Sequence, residues 1–204
     1  MIKHITQDCY FIFGASNIKS FPDELVEEIA LAGRSNVGKS SLINLLVNSK
    51  KIARVSSKPG CTRQINFYSV CRNKIRLADL PGYGYSRASK VEKAEYLHLI
   101  EYYLANRKNL KEVFVLIDGK IGLKEIDKNF IYWLKYKNIN FRIILTKIDK
   151  VNKEDLNAVL QHIKIWSYNQ GILIDNLRMV SNHIKYTLDE LKSEIFKFRQ
   201  NCNK

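Results

Sequence analysis

Apolar residues gather in six short runs, at residues 29–32, 65–70, 75–80, 113–117, 141–145 and 177–180, rich in Val, Ile, Leu and Phe. Runs of this length and composition predict buried strands. Between most of them apolar residues recur three and four apart, as at Leu42, Leu45 and Leu46 or at Phe130, Ile131 and Leu134, which predicts helices. Strands alternating with helices predict an α/β fold: a mostly parallel six-stranded sheet with helices on both faces. One link breaks the alternation. Only Cys71, Arg72, Asn73 and Lys74 separate the second and third runs, which leaves room for a hairpin but not for a crossover, so one antiparallel edge pair is expected. Phe67 and Tyr68 alternate along a strand and read as core. No repeat, low-complexity tract or Pro/Gly-rich linker divides the chain, and residues 23–204 are expected to form a single domain, with residues 1–22 an N-terminal extension packed on it.

Composition supports a packed core, with 46% hydrophobic and 26% charged among 204 residues, and excludes global disorder. The charge is lopsided. Thirty-four Lys and Arg stand against 20 Asp and Glu, a net +14, and residues 29–78 carry ten basic side chains and no acidic one. An acidic partner is expected. Cys9, Cys61, Cys71 and Cys202 form no C-x-x-C pair and have no histidines at metal-ligand spacing, which reads as reduced thiols. No apolar run is long enough for a signal peptide or a membrane span, so a soluble, cytoplasmic protein with no membrane partner is expected. His4, His98, His162 and His183 are scattered and read as solvated or packed imidazoles.

The chemistry begins where the first run ends. Gly33, Arg34, Ser35, Asn36, Val37, Gly38, Lys39 and Ser40 satisfy G-x-x-x-x-G-K-[ST], and Ser41 continues into a predicted helix. Glycines let backbone N–H groups converge on phosphate oxygens, the helix N-terminus adds partial positive charge, and Lys39 supplies a cation for the β- and γ-phosphates. The Ser40 hydroxyl is a candidate Mg²⁺ ligand. Three further signals follow in order. The loop of Gly60, Cys61, Thr62, Arg63 and Gln64 places a threonine where it can complete a Mg²⁺ shell. Next, Asp79, Leu80, Pro81 and Gly82 close the third run. There Asp79 can hold Mg²⁺ through water, and the Gly82 N–H can sense a γ-phosphate. Finally Thr146, Lys147, Ile148 and Asp149 end the fifth run. The Asp149 carboxylate offers two acceptors to the two donors of guanine, whereas adenine would leave it unpaired, a match worth about 1 to 3 kcal/mol. Lys39, Thr62 and Gly82 are the residues expected nearest the transferring phosphate.

Taken together, these segments and the run from Lys58 to Phe67 resemble the EngB (YihA/YsxC) family of bacterial GTP-binding proteins, related to translation factors and to Era, TrmE and EngA. The resemblance runs from about Phe21 to the last helix. It implies a Ras-like P-loop GTPase domain that binds GTP or GDP with Mg²⁺ and assists assembly of the large ribosomal subunit, with ribosomal RNA as partner. Family members are also linked to cell division and septation. By the same resemblance Val180, Ser181 and Asn182 form the last base-contacting loop, and a monomer is expected. Cys61 and Arg63 depart from the basic residue and the Gln common in the family, Asn182 from a small one. Thr187 stands where a glycine is usual and is a candidate cap for the last helix.

Tyr83 follows Gly82 at the position where Ras-type enzymes carry a water-orienting Gln, and no arginine finger is evident, so slow intrinsic hydrolysis is expected. Asn36 has two readings. In related GTPases an asparagine at this position accompanies K⁺ beside the nucleotide, and it equally suits capping of the loop. Arg34 could contact phosphate, a surface carboxylate or a partner. Tyr83 and Tyr85 read as packed in a switch segment, and Asp118 as the cap of a turn. Two other functions compete. A P-loop ATPase or small-molecule kinase accounts only for residues 33–40. A basic RNA-binding protein with negligible GTP turnover accounts for the charge and the nucleotide motifs without the switch.

Overall fold

The computed structural model describes residues 9–49, 52–53, 64–84, 90–172, 177–181 and 185–198. Its strands are β1 (Tyr10–Ala15), β2 (Glu27–Gly33), β3 (Ile65–Val70), β4 (Ile75–Asp79), β5 (Leu110–Asp118), β6 (Phe141–Thr146) and β7 (Arg178–Met179). The helices are α1 (Lys39–Leu46), α2 (Lys90–Asn106), α3 (Glu125–Tyr136), α4 (Lys153–Asn169) and α5 (Lys185–Phe198). The strands form one sheet in the order β1-β3-β4-β2-β5-β6-β7, parallel from β4 through β7. The hairpin between β3 and β4 turns through Cys71, Arg72 and Asn73, all at positive φ.

The sheet has one strand more than the six expected. Tyr10–Ala15, within the stretch read as an extension, pairs antiparallel with β3 from Tyr10↔Ser69 to Ala15↔Ile65. Without it β3 would present an open row of backbone groups. Phe13 lies 5.6 Å from Phe67 and Phe11 5.5 Å from Tyr68, so cross-strand aromatic pairs fix the register. The β3–β4 pair therefore lies one strand in from the edge.

Alternation along each strand decides which helices cover which face. Ile29, Leu31, Phe114, Leu116 and Ile144 pack with Leu42, Ile43 and Leu46 of α1 and Leu191 and Ile195 of α5. Their neighbours Ala30, Ala32, Val113, Val115 and Ile117 face the other way, against Leu99 and Tyr103 of α2, Ile131 and Leu134 of α3, and Ile163 and Trp166 of α4. Each large aliphatic side chain so buried contributes about 1.5 to 3 kcal/mol. Phe67 and Tyr68 are both buried, as their alternation implies. Thr187 lies within α5 and is buried, so it does not cap that helix.

A charged cluster locks the opposite end of the sheet. Glu28, fully buried at the start of β2, accepts from Arg76 at 2.9 Å, from Tyr103 at 2.8 Å and from Arg107 at 3.1 Å. The two guanidinium groups also donate to the carbonyls of Asp23 and Pro22, which ties the segment before β2 to β4 and to the residue that follows α2. Parallel pairing brings the carboxyl ends of β2, β4, β5 and β6 to one edge, since Leu31 pairs with Asp79, Gly33 with Leu116 and Asp118 with Thr146. In open α/β sheets that edge is where ligands bind.

Candidate nucleotide-binding site

Gly33 ends β2 at a φ of 152°, and a Cβ there would lie 2.8 Å from the Leu116 carbonyl oxygen. Only glycine lets the loop turn this close to β5. Asn36 adopts the left-handed region at φ 62°, which asparagine tolerates. Gly38 is the N-cap of α1, and Lys39, Ser40 and Ser41 form its first turn. The Lys39 ammonium is buried under the loop and donates to the carbonyls of Gly33 at 3.1 Å and Arg34 at 3.3 Å. Burial pushes its pKa down, opposed by the Asp79 charge.

Ser40 links the loop to β4. Its Oγ donates to Asp79 Oδ2 at 2.9 Å, while Asp79 Oδ1 is buried with no hydrogen-bond partner among the described residues. Burial drives the Asp79 carboxyl up, opposed by Lys39 and by the Ser40 hydroxyl. A hydroxyl beside a carboxylate oxygen left without a donor is a hard-oxygen set of the kind Mg²⁺ takes, so the residues present fit that ion. Leu80 extends the strand by donating to the Leu31 carbonyl, and Pro81 is buried. Gly82 packs against the loop, where a Cβ would fall 2.7 Å from Ser35 N and Oγ.

The next residues bind the two loops together. Arg34 and Tyr83 form an isolated parallel bridge. Tyr83 is buried, and its hydroxyl donates to Asp127 Oδ1 at 3.0 Å. Burial and the Asp127 charge raise the phenol well above its ordinary range. Arg34 turns toward α3, with Nε 3.2 Å from Asp127 Oδ2 and Nη2 donating to the Gly122 carbonyl at 3.1 Å. Of its three readings the structure shows an ion pair, with a carboxylate that is buried. Tyr83 is packed, as its setting between glycines implied.

The base-selecting loop is strapped to the phosphate loop. Thr146 Oγ1 donates to the Val37 carbonyl at 2.7 Å, and Lys147 Nζ donates to the Asn36 carbonyl at 2.8 Å and to Asp118 Oδ2 at 2.6 Å. Asp118 also accepts from Lys120 N at 2.9 Å, the turn cap expected of it. Ile148 is buried beneath the loop, and Asp149 Oδ1 accepts from Ser181 Oγ at 2.8 Å. Val180 is buried and donates to the Leu145 carbonyl. The two-residue β7 before it is held by Arg178, which donates to Glu194 of α5 at 2.7 Å.

Gly60, Cys61, Thr62, Arg63 and Asn182, with Tyr85, lie outside the described residues. Gln64 turns toward β1 and donates to Asn66 at 3.1 Å. Asp127 was not singled out in the sequence, although Lys124 and Asp127 have the spacing of a helix-start box and Lys124 N does donate to Asp127 at 2.9 Å. Among the described residues no helix is long and apolar enough to cross a membrane.

The 50S ribosome-binding GTPase family matches residues 28–147, from the start of β2 to Lys147. A probable GTP-binding protein EngB from Wolbachia pipientis subsp. Culex pipiens is 63% identical over 198 residues, covering 97% of this chain and 99% of that one. The chain belongs to the EngB family of GTP-binding proteins. The EngB fold agrees: the crystal structure of a probable GTP-binding protein engB is similar at a TM-score of 0.64 and 25% identity, over 85% of this chain and 99% of that chain. Era in complex with MgGDPNP and nucleotides 1506–1542 of 16S ribosomal RNA has a similar fold, with a TM-score of 0.65 at 23% identity over 85% of this chain and 56% of Era. EngB membership makes the protein a P-loop GTPase, and the ATPase and kinase readings fall away.

Proposed function

We propose that this chain is a slow GTP-hydrolysing switch that assists assembly of the large ribosomal subunit through a basic, nucleotide-sensitive RNA-binding surface. The observation that carries the switch is the meeting of Ser40 and Asp79 under the phosphate loop, with Gly82 packed on Ser35 beside them. In this reading residues 33–41 hold the α-, β- and γ-phosphates. Ser40, Thr62 and Asp79 hold Mg²⁺, Asp79 through water, and Gly82 senses the γ-phosphate. Residues 60–64 form the first switch. Lys147 and Asp149 read guanine with Val180, Ser181 and Asn182, while Thr146 and Ile148 hold their loop in place. Mg²⁺ neutralises charge on the β- and γ-phosphates when bound. K⁺ beside Asn36 would add to this.

Ribosomal RNA is supported as partner by the family description and by the net charge of +14. Arg72 and Lys74 are exposed on the β3–β4 turn, whereas Arg76 is buried against Glu28 and adds nothing to that surface; Lys50, Lys51, Arg54, Lys58 and Arg63 lie outside the described residues. In this reading the protein works in the cytoplasm as a monomer, and its loss disturbs cell division and septation. Association with large-subunit particles in the GDPNP, GDP and nucleotide-free states tests the proposal. Tighter binding in one nucleotide state supports a switch, and equal binding in all three removes it. A second reading, RNA binding with negligible turnover, draws on Tyr83, whose hydroxyl is committed to Asp127 and so offers no base. Under that reading Lys39→Ala would impair assembly no more than a surface substitution.

A further inference from the structure

We propose that Asp127 of α3 is a positioning residue for GTP hydrolysis, acting through Arg34 and Tyr83 to fix where the Gly82 amide lies. This rests on the GTPase reading of the site and adds to it a carboxylate that touches neither nucleotide nor metal. The carboxylate has no solvent exposure, and its partners come from three separate segments. Tyr83 donates to Oδ1 at 3.0 Å, Arg34 stands 3.2 Å from Oδ2, and Lys124 N donates to Oδ2 at 2.9 Å. A buried carboxylate is costly unless its oxygens are met. Here one oxygen accepts from the residue after Gly82, and the other, bonded to Lys124 N, faces the charge of the residue after Gly33.

The consequence is geometric. Asp79 is held at one end of its loop by Ser40, and Leu80 by the Leu31 carbonyl. At the other end Tyr83 is held by its bridge to Arg34, by Asp127 and by its ring, 4.8 Å from that of Phe130. Only Pro81 and Gly82 lie between the anchored residues, so the Gly82 N–H has little latitude. The same carboxylate and the Gly122 carbonyl draw the Arg34 guanidinium toward α3, which keeps it from serving as an arginine finger on the transferring phosphate. A hydrolytic step that needs an amide held at the γ-phosphate gains from such fixed placement, whereas binding of a diphosphate does not.

Tyr83→Phe removes one hydroxyl and leaves the ring on Phe130. Asp127→Asn removes the charge and keeps an amide of the same shape. The measurements are the single-turnover GTP hydrolysis rate, the affinities for GDPNP and GDP, and the melting temperature with GDP bound. Each variant is expected to lower the hydrolysis rate and the GDPNP-to-GDP affinity ratio by about tenfold, the worth of a hydrogen bond to a charged group. GDP affinity should stay within about twofold. The double variant should be no worse than the poorer single one, because the residues act as a unit. Wild-type hydrolysis and affinity ratio in Tyr83→Phe would overturn the inference. So would equal losses of GDPNP and GDP affinity, which mean packing alone, or additive losses in the double variant. If the wild-type protein turns over no GTP, the hydrolytic reading fails, and the affinity ratio still decides the role of Asp127.

Discussion

Ser40 Oγ donates to one oxygen of Asp79 at 2.9 Å while the other oxygen of that carboxylate is buried with no partner among the described residues. A lone pair withdrawn from water and left unmet costs about 1 to 3 kcal/mol, more for a charged group. A water held on Mg²⁺ would meet it.

Asp79→Asn therefore separates the metal from the fold. The amide can still accept from Ser40, but it lacks the charge that holds a hydrated divalent cation. GDP affinity of the wild-type protein is expected to fall when Mg²⁺ is chelated. In Asp79→Asn it should be weak with or without Mg²⁺, and titration of GDP in Mg²⁺ and in EDTA measures the difference. A full Mg²⁺ effect in the variant would remove Asp79 from the metal's shell.

Asp149→Asn tests the base. The wild-type carboxylate accepts from Ser181 on Oδ1, and an ionised carboxylate is an acceptor only, the polarity that two guanine donors require. An amide in its place turns one acceptor into a donor, so GTP affinity is expected to drop by about 1 to 3 kcal/mol, roughly 5- to 150-fold. Xanthine carries a carbonyl where guanine carries its amino group, and XTP should lose less or gain. Competition of XTP and GTP against labelled GDP reads the change, and an unaltered order of preference would contradict the assignment.

Much of this site was legible in the sequence because its residues are local. Gly33 to Ser40 are eight consecutive residues running from the end of a strand into the first turn of a helix, and Asp79, at the end of β4, and Asp149, just past β6, are located by the apolar runs before them. What was hidden depends on distant partners. Arg76 reads as surface charge until Glu28, 48 residues earlier, is found 2.9 Å away. Asp127 reads as an ordinary acid in a helix until Tyr83 and Arg34 meet on it. The strand Tyr10–Ala15 was missed because only the open edge of β3 makes it one.

Glu28→Gln should damage stability and leave the site alone. The glutamine cannot balance two buried guanidinium groups, and breaking such a pair costs about 3 to 5 kcal/mol. For a chain of this size that is roughly 6 to 20 °C in melting temperature. Glu28 lies five residues from Gly33 along β2, roughly 16 Å at the rise of a strand. Guanine-nucleotide affinity below the melting range is thus expected to match the wild type. Calorimetry and GDP titration together check this, and a lost affinity without a lower melting temperature would show the cluster to act on the site.

Potassium is the sharpest test of Asn36, because the backbone there permits an unusually clean substitution. At φ 62° an alanine would add strain to the loss of the side chain, so Asn36→Ala confuses two effects. Glycine adopts that conformation freely, and Asn36→Gly removes the amide while keeping the loop. The Asn36 carbonyl, which accepts from Lys147 at 2.8 Å, is retained as well, so the strap to the base loop survives. If the side chain holds K⁺, wild-type GTP hydrolysis should be faster in K⁺ than in Na⁺, and Asn36→Gly should hydrolyse at the Na⁺ rate in both salts with GDP affinity little changed. If the side chain only caps the loop, the wild-type rates will agree in the two salts, and Asn36→Gly will weaken GDP and GTP together.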